Sequence, residues 1–268
     1  MSTTERDGVR LAYERAGRGD AGTVVFLEGL GYGRWMWNWQ AAPLREAGYE
    51  TVLPDNRGTG DSTAPEGPYT IEAMAADLEA VLADAGVASV HVVGASMGGM
   101  IAQAYVDAYD RAESLALLCT SHGGEEAVPT PPETRERMFE TPEGADEREL
   151  IRHRMAPAMT ASFREANPDL IERIVDWRLE SDAPPHARQA QAAAVAGFDA
   201  SDRLHGIDVP TLVVHGTDDR VLPVENGRQL AAAIPDAELF LVEGAPHLVF
   251  VEHADEVTAR LRRFLDGA

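Results

Sequence analysis

Short apolar runs alternate with longer amphipathic segments along most of the chain. Residues 24–27, Val-Val-Phe-Leu, are typical of a buried strand, whereas 71–85 places apolar residues three and four positions apart, as an amphipathic helix does. Thr70 is predicted to cap that helix. Strands alternating with helices predict an α/β fold, in which helices cover both faces of a mostly parallel sheet. Strands are expected at 9–14, 23–27, 49–53, 90–93, 115–118, 211–215 and 239–242.

The alternation stops between residues 122 and 205. This stretch opens with glycines and prolines, then has a helical pattern at 147–155, 168–179 and 187–196, and it contains no strand-like run. We therefore expect residues 1–121 and 206–268 to form one α/β core. Residues 122–205, called the insertion below, are expected to form a helical cap, or lid, on that core. A chain of 268 residues suits one such domain.

The most informative motif follows the strand expected at 90–93. Gly94 and Gly98 flank Ser96, and a helix is expected to begin at Met97. Glycines here allow a tight strand-to-helix turn that exposes the Ser96 hydroxyl, and the first N–H groups of the helix point toward any oxyanion formed there. Ser96 is therefore a candidate nucleophile, with the Met97 N–H as an oxyanion donor. The alternative is a glycine-rich turn with a buried serine.

With the serine motif at 94–98 and four further motifs, the sequence resembles the α/β-hydrolase family over nearly its whole length. The resemblance implies that family's fold: a mostly parallel sheet of the eight-stranded type, flanked by helices and carrying an inserted helical cap. It also implies a Ser-His-acid triad that requires no metal and no organic cofactor. The motifs are VVFLEGLG at 24–31, DNRGTGDS at 55–62, GASMG at 94–98, HGTDDRVLP at 215–223 and GAPH at 244–247 with Glu252.

A serine hydroxyl needs a base to take its proton, and His247 is the candidate among eight histidines. It follows an expected strand in a Gly/Pro loop, at the sheet edge where active-site groups gather. In the family the acid lies between the serine and the histidine. Family spacing places it four residues before Pro223, at Asp219, with Asp218 as the alternative. The second oxyanion donor that the resemblance implies is the Leu30 N–H.

Three further residues are predicted to line a substrate pocket. Trp35 and Trp37 follow the oxyanion loop, and His122 follows the sixth strand of the resembling fold. Aromatic side chains commonly line apolar ligand pockets. The alternative for the two tryptophans is core packing.

Glu28 occupies a position where the family usually has histidine. A carboxylate beside the oxyanion hole would oppose the negative charge that develops on the substrate oxygen. We therefore expect Glu28 to face away from that oxygen. Its expected partners are the backbone of residues 29–33, or Arg34 or Arg57.

Composition and charge limit the classes of binding partner and indicate where in the cell the protein is expected. The chain has 45 acidic and 23 basic residues, all of the latter arginine, for a net charge of −22. Nucleic acid and anionic membranes are poor partners for this balance, because phosphate binding needs clustered cations. Two explanations of the charge stay open: adaptation to salt, and a high-GC genome that encodes arginine in place of lysine. The single cysteine excludes a disulfide scaffold, and the lack of an apolar leader or span favours a cytoplasmic protein.

The expected function is hydrolysis of a small-molecule carboxylic ester or lactone. Ser96 would attack the carbonyl carbon, and His247 would take the proton and later activate water. Family resemblance leaves two enzymatic alternatives on the same triad: a cofactor-free haloperoxidase or perhydrolase, and a hydrolase of carbon–carbon bonds. A ligand-binding receptor without catalysis is the alternative outside the enzymes. The oligomeric state stays open.

Overall fold

A computed structural model describes all residues from 1 to 268. Eight strands form one sheet in the order β1-β2-β4-β3-β5-β6-β7-β8. β2 runs antiparallel to β1 and to β4, and all other neighbours are parallel. The predicted α/β fold with a mostly parallel sheet is therefore confirmed. The strands are β1 Ser2–Arg6, β2 Val9–Gly17, β3 Thr23–Leu27, β4 Glu50–Pro54, β5 Val90–Ala95, β6 Ala112–Leu118, β7 Thr211–Gly216 and β8 Glu238–Val242.

All seven predicted strands are present, and β1 is the strand that the sequence did not reveal. Its residues, Ser2–Arg6, are exposed or half-buried, and none is a large apolar residue. β1 pairs with β2 along its whole length at the edge of the sheet. Backbone hydrogen bonds to β2 therefore hold β1 in place. Because such bonds do not require apolar side chains, the sequence of β1 has no hydrophobic pattern that would predict a strand.

Eleven α-helices accompany the sheet, and five of them lie between β6 and β7. α2 begins after Thr70, whose side chain accepts a hydrogen bond from the Ala73 N–H at 3.1 Å, so the predicted N-cap is confirmed. The helices are α1 Asn38–Glu46, α2 Ile71–Asp84, α3 Met97–Ala108, α4 Pro132–Phe139, α5 Glu147–Met155, α6 Ala161–Ala166, α7 Pro168–Ser181, α8 Pro185–Ala196, α9 Glu225–Ala233, α10 Val249–Glu252 and α11 Ala254–Leu265. None is long and apolar enough to cross a membrane.

The sheet has a hydrophobic core on each face. Val25 and Leu27 of β3 belong to one cluster, which includes apolar side chains of α2 and α3. Val24 and Phe26 belong to the other, which includes side chains of α1 and α11. This alternation follows from the two-residue period of a strand. The central strands are buried on both faces, which explains their uninterrupted apolar runs.

Backbone hydrogen bonds fix the insertion to loops of the sheet. The Ala183 N–H donates to the Gly31 carbonyl at 2.9 Å, and the Leu248 N–H donates to the Ala158 carbonyl at 2.9 Å. Gly31 follows β3, and Leu248 follows β8. The five helices α4 to α8 are therefore anchored at the edge of the sheet where parallel strands end, and this is where α/β proteins place their sites.

Candidate active site

Ser96 lies at a sharp turn between β5 and α3. Its backbone has φ 54° and ψ −120°, a combination that a residue other than glycine rarely adopts. A Cβ atom on Gly94 would collide with the Gly98 carbonyl, and one on Gly98 would collide with the Leu27 carbonyl. The two glycines flanking Ser96 are therefore required by close backbone contacts, and the turn presents the serine at the start of α3.

His247 lies in the loop between β8 and α10, beside Asp219 from the loop after β7. Its Nδ1 is 2.7 Å from Asp219 Oδ2. The other carboxylate oxygen accepts hydrogen bonds from the N–H groups of Val221 and Leu222, at 2.8 and 2.9 Å. Asp218 is exposed, whereas Asp219 is buried. The structure thus brings Asp219, and not Asp218, to the histidine.

A second imidazole reaches Asp219 and was missed by the sequence reasoning. His215 Nε2 lies 2.8 Å from the Leu222 carbonyl, which can only accept, so this nitrogen carries a proton. The same nitrogen is 3.2 Å from Asp219 Oδ2. Burial raises the pKa of Asp219, but the imidazoles of His247 and His215 outweigh it and lower that pKa to about 2. The available signal was the position of His215, four residues before Asp219 at the end of β7.

One cluster of side chains has the residue types of a metal site: Cys119, His215 and Asp219. Their potential ligand atoms lie within 4.8 Å of one another, and all three side chains are buried. Burial and the charge of Asp219 raise the pKa of the Cys119 thiol well above its usual range. A thiol must lose its proton to bind a metal strongly, and Asp219 is already engaged by four donors. We assign no metal to this group.

Ser96 and His247 line one cavity of about 390 Å³. Leu30 and Met97 line it too, and neither of their N–H groups makes a hydrogen bond within the chain. No hydrogen bond joins Ser96 to His247, and such bonds commonly tighten only when substrate binds. Most of the remaining wall is apolar and comes from the insertion and its neighbours, including Tyr32, Met36, Met100, Val128, Met138, Phe139, Val195, Val221 and Leu248.

The three predicted pocket residues, Trp35, Trp37 and His122, do not line this cavity. Trp37 is fully buried, with ring centroids 4.9 Å from Phe26 and 5.2 Å from Phe250. Trp35 stacks on a tryptophan of α7. His122 is buried, and its neighbours Ser121 and Gly123–Gly124 line the cavity instead. Residues 34–37 form a 3₁₀ turn, whose successive side chains point about 120° apart. Met36 therefore faces the cavity, and the tryptophans on either side of it pack into the protein.

Glu28 is fully buried directly before the oxyanion loop, and it does not line the cavity. Its Oε1 accepts hydrogen bonds from the Asn56 N–H at 2.6 Å and the Thr59 hydroxyl at 3.4 Å, while Oε2 has no partner. Burial and the nearby charge of Asp55 raise the pKa of Glu28 well above its usual range. Burial therefore disfavours the charged form of this carboxyl beside the oxyanion loop.

The predicted partners of Glu28 were wrong. Arg34 pairs with Asp55 and with Asp61, and Arg57 donates to both oxygens of Asp77 on α2 at 2.6 and 2.7 Å. Each arginine is thus neutralised by a carboxylate of its own. The backbone at 55–59, rather than the glycine loop that follows Glu28, supplies its hydrogen bonds.

Comparison with known proteins identifies the family. A family model described as alpha/beta hydrolase fold matches residues 22–254. The chain belongs to the α/β-hydrolase family. A putative non-heme chloroperoxidase of Synechocystis sp. is 29% identical, over 96% of this chain and 95% of that protein. Proline iminopeptidase PfmaB of Pestalotiopsis fici is 32% identical, over 98% of each chain. The crystal structure of the enol-lactonase from Burkholderia xenovorans has a TM-score of 0.83 at 30% identity, covering 98% of this chain and 99% of that one.

Proposed function

We propose that this α/β-hydrolase cleaves a carboxylic ester or lactone through an acyl-enzyme on Ser96. The observation that carries the proposal is the convergence of four groups on one cavity: Ser96 at its strained turn, His247 held by Asp219, and the unused N–H groups of Leu30 and Met97. A nucleophile, an oriented base and two donors for one oxygen are the parts that acyl transfer needs.

The reaction would proceed in two halves. Ser96 Oγ attacks the carbonyl carbon while His247 Nε2 takes the hydroxyl proton, and the substrate oxygen becomes an oxyanion facing the two N–H groups. The carbon–oxygen bond then breaks, and the leaving alkoxide receives the proton from His247. Water attacks the acyl-enzyme with His247 again as base, which releases the acid and restores the Ser96 hydroxyl.

Asp219 has a positioning and an electrostatic role in this scheme. Its contact with Nδ1 holds the imidazole with Nε2 directed to the serine, and its negative charge stabilises the imidazolium that forms. A pKa of about 2 keeps this carboxylate ionised across the neutral range. The backbone bonds to its other oxygen fix its orientation.

A second candidate function is perhydrolysis, favoured by the similarity to a putative non-heme chloroperoxidase. Hydrogen peroxide would then replace water in the second half of the reaction and release a peracid. The first half, and the role of Ser96, would be the same. A comparison of product with and without peroxide therefore separates these two candidates.

Labelling with a fluorophosphonate tests the role of Ser96. The wild-type protein should take up one label per chain, located by peptide mass mapping at Ser96, and Ser96→Ala should take up none. Ser121→Ala is the matched control, because Ser121 lines the same cavity and should not react. Labelling of another residue would contradict the role of Ser96. No labelling at all would also contradict it and would favour a ligand-binding receptor on this fold.

A further inference from the structure

The wall of the cavity has a charge opposite to that of the protein. The chain has 45 acidic residues among 268, yet none of the 27 residues that line the cavity is Asp or Glu. Three arginines line it instead: Arg135, Arg154 and Arg188. All three belong to the insertion. An acid-free wall in so acidic a chain indicates that negative charge is excluded from the protein side of this cavity.

Arg188, on α8, lines the cavity beside the loop that follows β3. A Cβ atom placed on Gly31 would lie 2.9 Å from Arg188 Nη1, so the guanidinium packs against the loop that carries Leu30. The side chain is half-buried and makes no ion pair or hydrogen bond within the chain. Burial and the positive charge of Arg178 lower its pKa. Arg188 is thus a partly desolvated cation that makes no ion pair with a carboxylate.

The other two cavity arginines also lack a carboxylate partner. Arg154 donates only to neutral oxygens, the Glu140 carbonyl at 3.1 Å and the Thr141 hydroxyl at 2.9 Å. Arg135 is exposed at the edge of the cavity and forms no ion pair. On the same helix as Arg154, by contrast, Arg148 and Arg152 both bind Glu172. Among the three arginines of α5, the one that lines the cavity is therefore the one without a carboxylate partner.

Nearby Asp182 does not neutralise the cavity. Its carboxylate binds Arg178 through Nε at 2.8 Å and Nη2 at 2.7 Å, and Arg178 itself packs on the Tyr32 ring. The charge of Asp182 also acts on Arg188, but its short contacts go to Arg178, whose positive charge opposes that effect. Uncompensated cations in a partly desolvated wall are costly unless a ligand supplies the missing negative charge.

We propose that the cavity selects esters or lactones that carry a second group, a free carboxylate, held by Arg188 and Arg154. This inference rests on the proposed ester or lactone hydrolysis and specifies its substrate class. A guanidinium matches a carboxylate with two parallel hydrogen bonds. The apolar wall would hold the carbon chain between the carboxylate and the carbonyl near Ser96, and the arginines would also oppose the repulsion from the acidic surface.

Paired substrates that differ only in the carboxylate test this. For the acyl side, the mono-4-nitrophenyl ester of hexanedioic acid is compared with 4-nitrophenyl hexanoate. For the alcohol side, 5-(butanoyloxy)pentanoate is compared with pentyl butanoate by titration of released acid. In at least one pair, kcat/KM should favour the carboxylate by tenfold or more. Arg188→Gln should reduce that preference tenfold or more, whereas Arg137→Gln, on an exposed part of α4 away from the cavity, should leave it unchanged.

A binding measurement keeps the inference independent of turnover. Ser96→Ala should bind the monomethyl ester of hexanedioic acid at least tenfold more tightly than methyl hexanoate by calorimetry, and adding Arg188→Gln should remove the difference. Equal binding, or a preference for the neutral ester in both pairs, would overturn the inference. If neutral esters are hydrolysed through Ser96 with no carboxylate preference, only this inference fails. If Ser96→Ala hydrolyses esters as the wild type does, the proposed function fails, and calorimetry still decides whether the cavity binds a carboxylate.

Discussion

His215 and His247 approach the same oxygen of one carboxylate. His247 Nδ1 lies 2.7 Å from Asp219 Oδ2, and His215 Nε2 lies 3.2 Å from it. Two backbone N–H groups bind the other oxygen. Asp219 is therefore oriented from four directions and kept ionised although it is buried, and this is the requirement for a group that must hold one imidazole in a fixed tautomer.

The role of Asp219 predicts a large difference between neighbouring variants. Asp219→Asn should lower kcat for an activated aryl ester by about 10³–10⁴-fold, because it disturbs the tautomer of His247 and removes the stabilising charge. Asp218→Asn changes an exposed neighbour and should lower kcat by less than about tenfold. Steady-state kinetics of both variants, with melting curves to check folding, measure the difference. The reverse ranking would make Asp218 the acid.

The strained turn at Ser96 predicts an unequal effect of two inactive variants on stability. Ser96→Ala keeps a side chain at φ 54°, whereas Ser96→Gly relieves a strain of about 1–3 kcal/mol. Glycine also increases the conformational entropy of the unfolded chain, which lowers the free energy of unfolding by about 0.4–1 kcal/mol. The free energy of unfolding of Ser96→Gly should therefore exceed that of Ser96→Ala by about 1 kcal/mol. Denaturant unfolding measures this difference, and both variants should lack activity. Equal or reversed stabilities would show that the turn stores no strain.

Part of this site could be predicted from the sequence because its motifs are local. The glycines around Ser96 indicate a tight strand-to-helix turn, and the resemblance to α/β-hydrolases implied Asp219 through its spacing from Pro223. The partner of Glu28 depends instead on how the loop at 55–59 packs against another loop. No pattern within either segment encodes that contact, so the sequence pointed to the wrong partners.

The substrate wall was the least predictable part for a similar reason. An aromatic run indicated a pocket at Trp35 and Trp37, but the sense of one 3₁₀ turn directs Met36 inward instead. The approach of Arg188 to Gly31 joins a helix of the insertion to a loop far away in the chain. Such contacts are set by the tertiary packing of the insertion, and helical periodicity identified its helices without showing which faces meet the cavity.

Glu28 predicts a pH-dependent gain in stability from a neutral replacement. Its pKa is raised in the folded protein, so above the ordinary value of 4.5 the unfolded chain releases a proton that the folded protein retains. Wild-type stability therefore falls as pH rises from 4.5 toward the folded pKa. Glu28→Gln cannot ionise, and its melting temperature should rise relative to wild type between pH 5 and pH 8.

The same variant tests whether Glu28 takes part in chemistry. Because the side chain does not line the cavity, Glu28→Gln should change kcat/KM by less than about tenfold, or about 1.4 kcal/mol. Abolished turnover in a folded variant would make Glu28 a participant. A stability difference independent of pH would contradict the raised pKa of Glu28 in the folded protein.

The acidic surface predicts a response to salt. The net charge of −22 creates self-repulsion, which is screened as the Debye length falls from about 10 Å at 0.1 M to about 3 Å at 1 M salt. If the charge is an adaptation to salt, the melting temperature should rise clearly between 0.1 and 2 M KCl. A flat or falling curve would favour the codon-composition explanation for the arginines.

Hydrolysis by this protein should pass through a covalent acyl group on Ser96, which rapid-quench mass spectrometry detects. The protein is mixed with 4-nitrophenyl hexanoate, quenched in acid within milliseconds to seconds, digested and mapped. The peptide containing Ser96 should transiently gain the mass of the acyl group, and the same peptide of Ser96→Ala should never gain it. Hydrolysis of the ester at full rate without any adduct on that peptide, or with an adduct on another residue, would contradict this prediction.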